Sequence, residues 1–307
     1  MTVSPKLLFW VIGIVLVAGI TLAIVTSSQP KQHSGSLIQV VAAENFWGSL
    51  VSQIGGNRIQ VDSIVSDPNA DPHEYESNAS TARSFETADY VILNGAGYDS
   101  WGDKLLSASP NKNRVVLNIA GLLGKKEGDN PHFWYNPDYV NLSIVQMEKD
   151  LIKIDPADAG YYQQNYKTLQ TALSGYQNRI KNIRSQFGGT KVAATEDIFA
   201  YLANAAGLDL ISPPAFIEAV AEGNDPPTDS VVAFQQQLQT NQPKVLVYNE
   251  QTVTPLTNSI KGLAAAQNIP IVGVTETIQP PDNTFQDWMN AEIINLENAL
   301  NAQELGQ

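Results

Sequence analysis

With 307 residues, 43% of them hydrophobic, the chain is long enough to bury a sizeable core in one large or two ordinary domains. A formal net charge of −13 argues against nucleic acid as a partner, because phosphate binding needs a basic face. Cysteine is absent, which removes disulfides, thiolate metal sites, a cysteine nucleophile and a lipid-modified N-terminal cysteine, so any metal site must use nitrogen and oxygen ligands.

The chain opens on an uncharged apolar run, Leu7–Thr26, of about the length that crosses a bilayer as a helix. Lys6 precedes it and the polar stretch "SSQPKQHSGS" follows. The run reads as a signal peptide or an uncleaved anchor; it is long for a signal core and shows no A-x-A site, which favours the anchor. Either reading exports everything after about Ser36 and tethers it to, or secretes it from, the outer face of a cytoplasmic membrane. No later segment is apolar enough to span. His33, in the tether, has no expected role.

Short β-branched runs then alternate with longer amphipathic ones. The expected strands are "IQVVAA" (38–43), "IQVDSIV" (59–65), "YVILNG" (90–95) and "RVVLNI" (114–119), then "KVAAT" (191–195), "LDLI" (208–211), "KVLVYN" (244–249) and "PIVGV" (270–274). Helical patterns fill the gaps, among them 79–88, 230–240, 255–267 and 285–300. Such alternation predicts an α/β fold of mostly parallel sheets covered by helices. Between the two sets, Tyr162, Tyr166, Leu169, Leu173, Tyr176, Ile180, Ile183 and Phe187 step by four and three without a miss, and Gly188 and Gly189 end the pattern. This predicts one helix over Pro156–Phe187, a rod of about 45 Å at 1.5 Å per residue. The expected organisation is therefore a tether (1–36), an N-terminal lobe (37–155), a linking spine helix (156–187) and a C-terminal lobe (188–307).

In open parallel sheets, ligands sit beyond the carboxyl ends of the strands. Four strong donors follow strands there. His73 lies after the second strand and His132 after the fourth, each straight after a proline, in a chain with three histidines. Glu196 follows "KVAAT" directly and Glu276 comes just after "PIVGV". Two imidazoles and two carboxylates facing one interlobe cleft suit a first-row divalent metal. Proline fixes its own φ and holds its predecessor extended, so these histidines are placed in rigid segments. Plainer readings stand beside this one: Glu196 and Asp197 as first-turn acids with Thr195 as a helix cap, Glu276 as a loop acid, and either histidine as an ordinary polar loop residue.

At these residues the chain resembles the metal-binding substrate-binding proteins of bacterial ABC importers, the cluster that captures manganese, zinc or iron. "DPHEYE" (71–76) and "NPHFWYNP" (130–137) look like the family's first two ligand motifs. "TEDIFAYLANAAGL" (195–208) looks like the third, and "VTETI" (274–278) followed by "TFQDWM" (284–289) like the fourth; "NGAGYDSW" (94–101) and the long helix fit as well. The resemblance implies His73, His132, Glu196 and Glu276 as metal ligands. Glu276 stands where the family usually has aspartate, with Asp282 as the alternative. The cysteine on which many members are lipidated is missing, so the apolar helix would replace the lipid. The segment "GLLGKKEGD" (121–129) has none of the histidines that zinc-specific members often carry there.

The implied function is that of a receptor rather than an enzyme: a monomer that takes Mn2+ or Zn2+ as transported ligand and hands it to the permease and ATPase of an importer. Glutamate at the third position matches the manganese-type pattern, while zinc binds tightly to almost any such site. The alternatives from other classes are an extracytoplasmic zinc hydrolase, with Glu276 as general base, and a membrane-tethered adhesin.

Overall fold

Most strands are short apolar runs rich in valine and isoleucine, and the helices that follow them carry the chain back across the sheet. The computed structural model describes residues 36–67 and 72–305, so the Leu7–Thr26 run and His33 lie outside the described residues. The first half comprises β1 (Ile38–Glu44), α1 (Asn45–Gly55), β2 (Ile59–Val65), α2 (Ala79–Thr87), β3 (Tyr90–Leu93), α3 (Ser100–Ala108), β4 (Val115–Asn118), the one-turn α4 (Ile119–Leu122) and α5 (Pro137–Ile154). After α6 (Ala159–Phe187), the second half runs β5 (Lys191–Ala194), α7 (Ala200–Ala205), β6 (Asp209–Leu210), α8 (Pro214–Ala221), α9 (Thr228–Gln239), β7 (Leu246–Asn249), α10 (Pro255–Ala266), β8 (Ile271–Val274) and α11 (Phe285–Leu305). Among these described residues, no helix is long and apolar enough to cross a membrane.

The two halves repeat one topology. The strand orders are β2-β1-β3-β4 and β6-β5-β7-β8, and all the strand pairs are parallel. Parallel neighbours require crossovers, and the intervening helices supply them. All eight expected strands form, mostly a residue or two shorter than their apolar runs. "YVILNG" stops at Leu93 because the next two N–H groups turn away from the sheet: those of Asn94 and Gly95 donate to the Asp99 carboxylate at 2.6 and 2.8 Å. Gly95 then takes φ 78°, a left-handed conformation open to glycine at little steric cost.

The predicted spine is α6. It begins at Ala159, after a single 3₁₀ turn over Pro156–Asp158, rather than at Pro156. Along its 29 residues Tyr162, Leu169, Leu173, Tyr176, Ile180, Ile183 and Phe187 are buried, and Tyr166 packs half-buried against the same core. The stripe meets α1 and α5 from the first half and α11 from the second. One continuous apolar cluster therefore holds spine residues together with Val40 and Ile92 of the first sheet and Val192 and Val247 of the second. The described residues from Leu37 onward accordingly form one compact unit in which both lobes share a seam. Polar ties cross that seam as well: Asn45 Oδ1 accepts the Ile278 N–H at 3.2 Å, and Tyr135 donates its hydroxyl toward the Thr275 carbonyl at 2.8 Å.

Leu173 sits fully buried on this stripe. Leu173→Ala is expected to destabilise the fold by about 2–5 kcal/mol, the cost of deleting a close-packed leucine side chain. Denaturant titration checks this. A change within about 0.5 kcal/mol would mean that the stripe does not carry the shared core.

Candidate metal centre

The two Pro-His segments sit differently. His73 lies in a single 3₁₀ turn, Pro72–Glu74, beyond the end of β2, with its side chain 25% exposed at the open edge of the site. Its ring stands edge-on to Tyr98, with centroids 4.7 Å apart, and its Nε2 is 3.2 Å from Glu276 Oε2. His132 follows β4 and α4 and is completely buried. The loop that carries it is pinned from both lobes. Asn94 donates to the Pro131 carbonyl at 2.9 Å, Tyr201 donates to the Asn130 carbonyl at 3.0 Å, and Asn130 Nδ2 donates to the Asp197 carbonyl at 2.8 Å. The rest of "NPHFWYNP" starts α5: Asn136 accepts the N–H groups of Asp138 and Tyr139 at 2.9 and 3.3 Å, with Pro137 in the first turn.

His132 is oriented through its far nitrogen. Nδ1 lies 2.9 Å from Asn130 Oδ1, which also accepts the His132 backbone N–H at 2.9 Å, and 3.1 Å from Asp197 Oδ1. A proton on Nδ1 donates to Asn130 Oδ1, with the Asp197 carboxylate close by, and leaves the Nε2 lone pair facing the carboxylates, the arrangement usual for a ligating imidazole. Nε2 is 3.5 Å from Glu196 Oε1 and 3.8 Å from Glu276 Oε2. Neither His132 Nε2 nor Glu196 Oε1 has a hydrogen-bond partner. Buried polar atoms are seldom left so, and two orphaned lone-pair donors facing each other have the form of a cation site.

Both carboxylates come from the second lobe. Glu196 leaves β5 in extended conformation (φ −152°, ψ 166°) and is buried. It does not cap the turn that follows, and the Thr195 hydroxyl serves the Asn249 N–H at 3.4 Å instead. Of the two acids read as first-turn residues, Asp197 does stand in the first turn and also faces His132, while Glu196 precedes it and turns inward. Glu276 is fully buried after β8. Gln251 Oε1 accepts its N–H and that of Thr277 at 2.6 and 3.0 Å. Next to it, the buried Glu292 carboxylate accepts the Thr275 N–H at 2.9 Å. Glu276 Oε2 accepts the Tyr98 hydroxyl at 2.7 Å. Tyr98 reaches it from the turn Gly95–Gly97, whose residues all have positive φ.

One donor atom from each of His73, His132, Glu196 and Glu276 falls within 4.8 Å of all the others. Asp282, the alternative to Glu276, is exposed and outside this group. Sequence reasoning did not assign roles to Asn130, Tyr98, Asn249 or Gln251. Asn249 is a polar residue that itself ends a strand, β7, on the carboxyl side where the four donors follow theirs.

The charges balance through protons in this arrangement. Burial pushes the His132 pKa down, but the Asp197 and Glu276 carboxylates outweigh it and raise it to about 10. Burial likewise lowers His73, and Glu276 more than reverses this, raising it above the ordinary imidazole range. Burial and the nearby Glu276 charge push Glu196 up to about 7. Glu276 itself, raised by burial, is carried well below the usual carboxylate range by the two histidines. A cation that replaces these protons meets two imidazole nitrogens and two carboxylate oxygens, a donor set suited to first-row divalent metals.

On the face of the cluster where His73 is exposed, a cavity of about 520 Å³ is lined by His73, Tyr98, Glu127, Asp129, Asp197, Glu218 and Glu222, among others. The carboxylates give this opening a negative potential, which attracts cations.

Known proteins resemble this chain in sequence and in fold. The manganese ABC transporter substrate-binding lipoprotein PsaA of Streptococcus anginosus is 26% identical over 268 residues, covering 82% of this chain and 84% of that protein. The fold matches that of the Mn-bound periplasmic metal binding protein from candidatus liberibacter asiaticus, with TM-score 0.70 and 16% identity over 85% of this chain and 98% of that one. It also matches the substrate-binding protein FpvC from Pseudomonas aeruginosa in complex with Mn2+, with TM-score 0.72 and 18% identity over 87% and 99%. The profile of the family described as "Zinc-uptake complex component A periplasmic" matches residues 40–299, nearly the whole two-lobed unit, and the chain belongs to that family.

Proposed function

We propose that the protein is an extracytoplasmic receptor that captures a divalent transition metal, Mn2+ or Zn2+, through His73, His132, Glu196 and Glu276, and delivers it to the permease and ATPase of an ABC importer. The observation that carries this reading is the convergence of four donor atoms from two lobes, two of them buried without any hydrogen-bond partner. The names of the relatives support the transport role. The protein acts as a monomer, tethered by Leu7–Thr26 or secreted if that segment is cleaved. The lobes over 37–155 and 188–307 close on the ion only slightly, because the 156–187 spine packs against both.

It is not an enzyme on this reading. Four protein donors complete a tetrahedral sphere, whereas a zinc hydrolase keeps one position open for water. The adhesin alternative calls for a large apolar patch. Among the described residues, the exposed large apolar side chains are Leu37, Val116, Leu122, Leu142, Val232 and Val253, spread along the chain.

The test is metal analysis and calorimetry on the chelator-stripped full chain. The expected result is one Mn2+ or Zn2+ per chain, with the melting temperature raised by the ion as mass action requires. No binding of either ion would overturn the proposal.

A further inference from the structure

Asn249 lies between the two carboxylates of the site. It ends β7, is 1% exposed, and its Nδ2 donates to Glu196 Oε2 at 2.6 Å and to Glu276 Oε1 at 2.8 Å. The amide has one satisfactory orientation. Its Oδ1 accepts the Gln251 N–H at 3.0 Å, so a flipped amide would set its oxygen against two carboxylates and its NH2 group against a backbone donor. The Thr252 hydroxyl strengthens the arrangement, lying 3.0 Å from Asn249 Nδ2 and 3.4 Å from Glu276 Oε1. Each carboxylate is thereby left with one oxygen toward the imidazoles. On Glu196 this is Oε1, which has no hydrogen-bond partner. On Glu276 it is Oε2, which accepts the Tyr98 hydroxyl at 2.7 Å and keeps a further lone pair.

Chelation through both oxygens requires a carboxylate to turn its second oxygen toward the ion as well, away from the Asn249 amide that holds it. Here that would break a short, buried hydrogen bond to an ionised acceptor, and such bonds are stronger than neutral ones. Zinc is satisfied by four donors in a tetrahedron. Manganese prefers an oxygen-rich octahedron, which this ligand set approaches only if the carboxylates chelate or water is added. We infer that Asn249 is a specificity-determining residue: by holding one oxygen of each carboxylate it restricts both to single-oxygen ligation, and so favours Zn2+ over Mn2+ relative to the same four ligands without it. The inference rests on the metal-receptor reading above.

The experiment compares Zn2+ and Mn2+ affinities of the stripped full chain with those of Asn249→Ala and Thr252→Val, each checked for fold by circular dichroism. Asn249→Ala is expected to lower the ratio of zinc to manganese affinity about tenfold, and Thr252→Val to shift it less in the same direction. Equal weakening for both ions in Asn249→Ala would show a merely structural role and overturn the inference. Should Asn249→Ala not fold, X-ray absorption of the zinc-loaded wild type decides the question. A single shell of four nitrogen and oxygen donors supports the inference, and a five- or six-donor shell with a chelating carboxylate overturns it. His132→Ala is run in parallel. If that variant still binds metal, the reading of the site fails. If it loses metal while Asn249→Ala leaves the zinc-to-manganese ratio unchanged, only the inference about Asn249 fails.

Discussion

Replacing His132 by alanine is expected to weaken Mn2+ and Zn2+ binding about 100-fold or more, while the far-ultraviolet circular dichroism stays that of the wild type. The magnitude follows from its position. Removing even an outer partner of a metal ligand typically costs about 10–100-fold. His132 is the fully buried donor whose Nε2 faces both carboxylates at 3.5 and 3.8 Å. The fold survives because the apolar seam along α6 does not depend on this side chain. The metal-free variant should nevertheless melt at a lower temperature near neutral pH, since the positive imidazole that faces Glu276 and Asp197 is gone. His73→Ala separates the two effects. Its ring stands at the open edge, so affinity should fall steeply with a smaller change in melting temperature. Asp282→Ala, on the exposed loop, should change neither. Calorimetry with the His132 variant is the decisive measurement, and wild-type affinity would remove the site assignment.

The second large effect concerns pH. Metal affinity is expected to rise with pH throughout the neutral range, because ions and protons compete for the same atoms. Imidazole must be unprotonated to ligate, yet the neighbouring carboxylates raise His132 to about 10, after the opposing effect of burial, and His73 is also raised. Glu196, raised to about 7 by burial and by Glu276, still holds a proton part of the time at neutral pH. Binding should therefore release at least about one proton per ion at pH 7, seen as a heat that changes with the ionisation enthalpy of the buffer. A heat independent of buffer, with affinity flat from about pH 6 to about pH 8, would contradict this.

The same shifts set how stability depends on pH in the metal-free protein. The raised His132 contributes stability that is fully present below its ordinary 6.5 and is lost as pH climbs through about 10. The raised Glu196 contributes below its ordinary 4.5 and loses that contribution through about 7. Glu276, lowered mainly by the two histidines against the effect of burial, contributes above 4.5 and loses it only in stronger acid. These groups together make the metal-free form less stable from about pH 7 to about pH 10. The melting-temperature gain from bound metal should widen over that window.

Much of this protein can be read along the chain. Strand runs followed by donors, the unbroken three-and-four stepping from Tyr162 to Phe187, and a histidine after each of two prolines are all local patterns. They reflect backbone geometry and burial, which act over a few residues. Asp197 shows where such reading stops. A first-turn acid beside a strand is equally a helix-dipole residue, and only the neighbouring lobe's His132 gives it a different task. Gln251 is similar, since its contacts to the Glu276 and Thr277 N–H groups span 25 and 26 residues of sequence.

The amino-acid sequence by itself determined the two α/β halves, the spine between them and the chemical type of the site, nitrogen and oxygen donors at strand ends with no thiolate. Periodicity and residue chemistry suffice for those features. Only the tertiary structure decided that Glu276 rather than Asp282 joins the histidines, that Nδ1 of His132 is the nitrogen held by Asn130 and Asp197, and that Asn249 takes one oxygen from each carboxylate. Those outcomes depend on side chains that meet across a cleft from strands far apart in the chain. Their distances are set by how two sheets pack against one helix, and no local pattern carries that information.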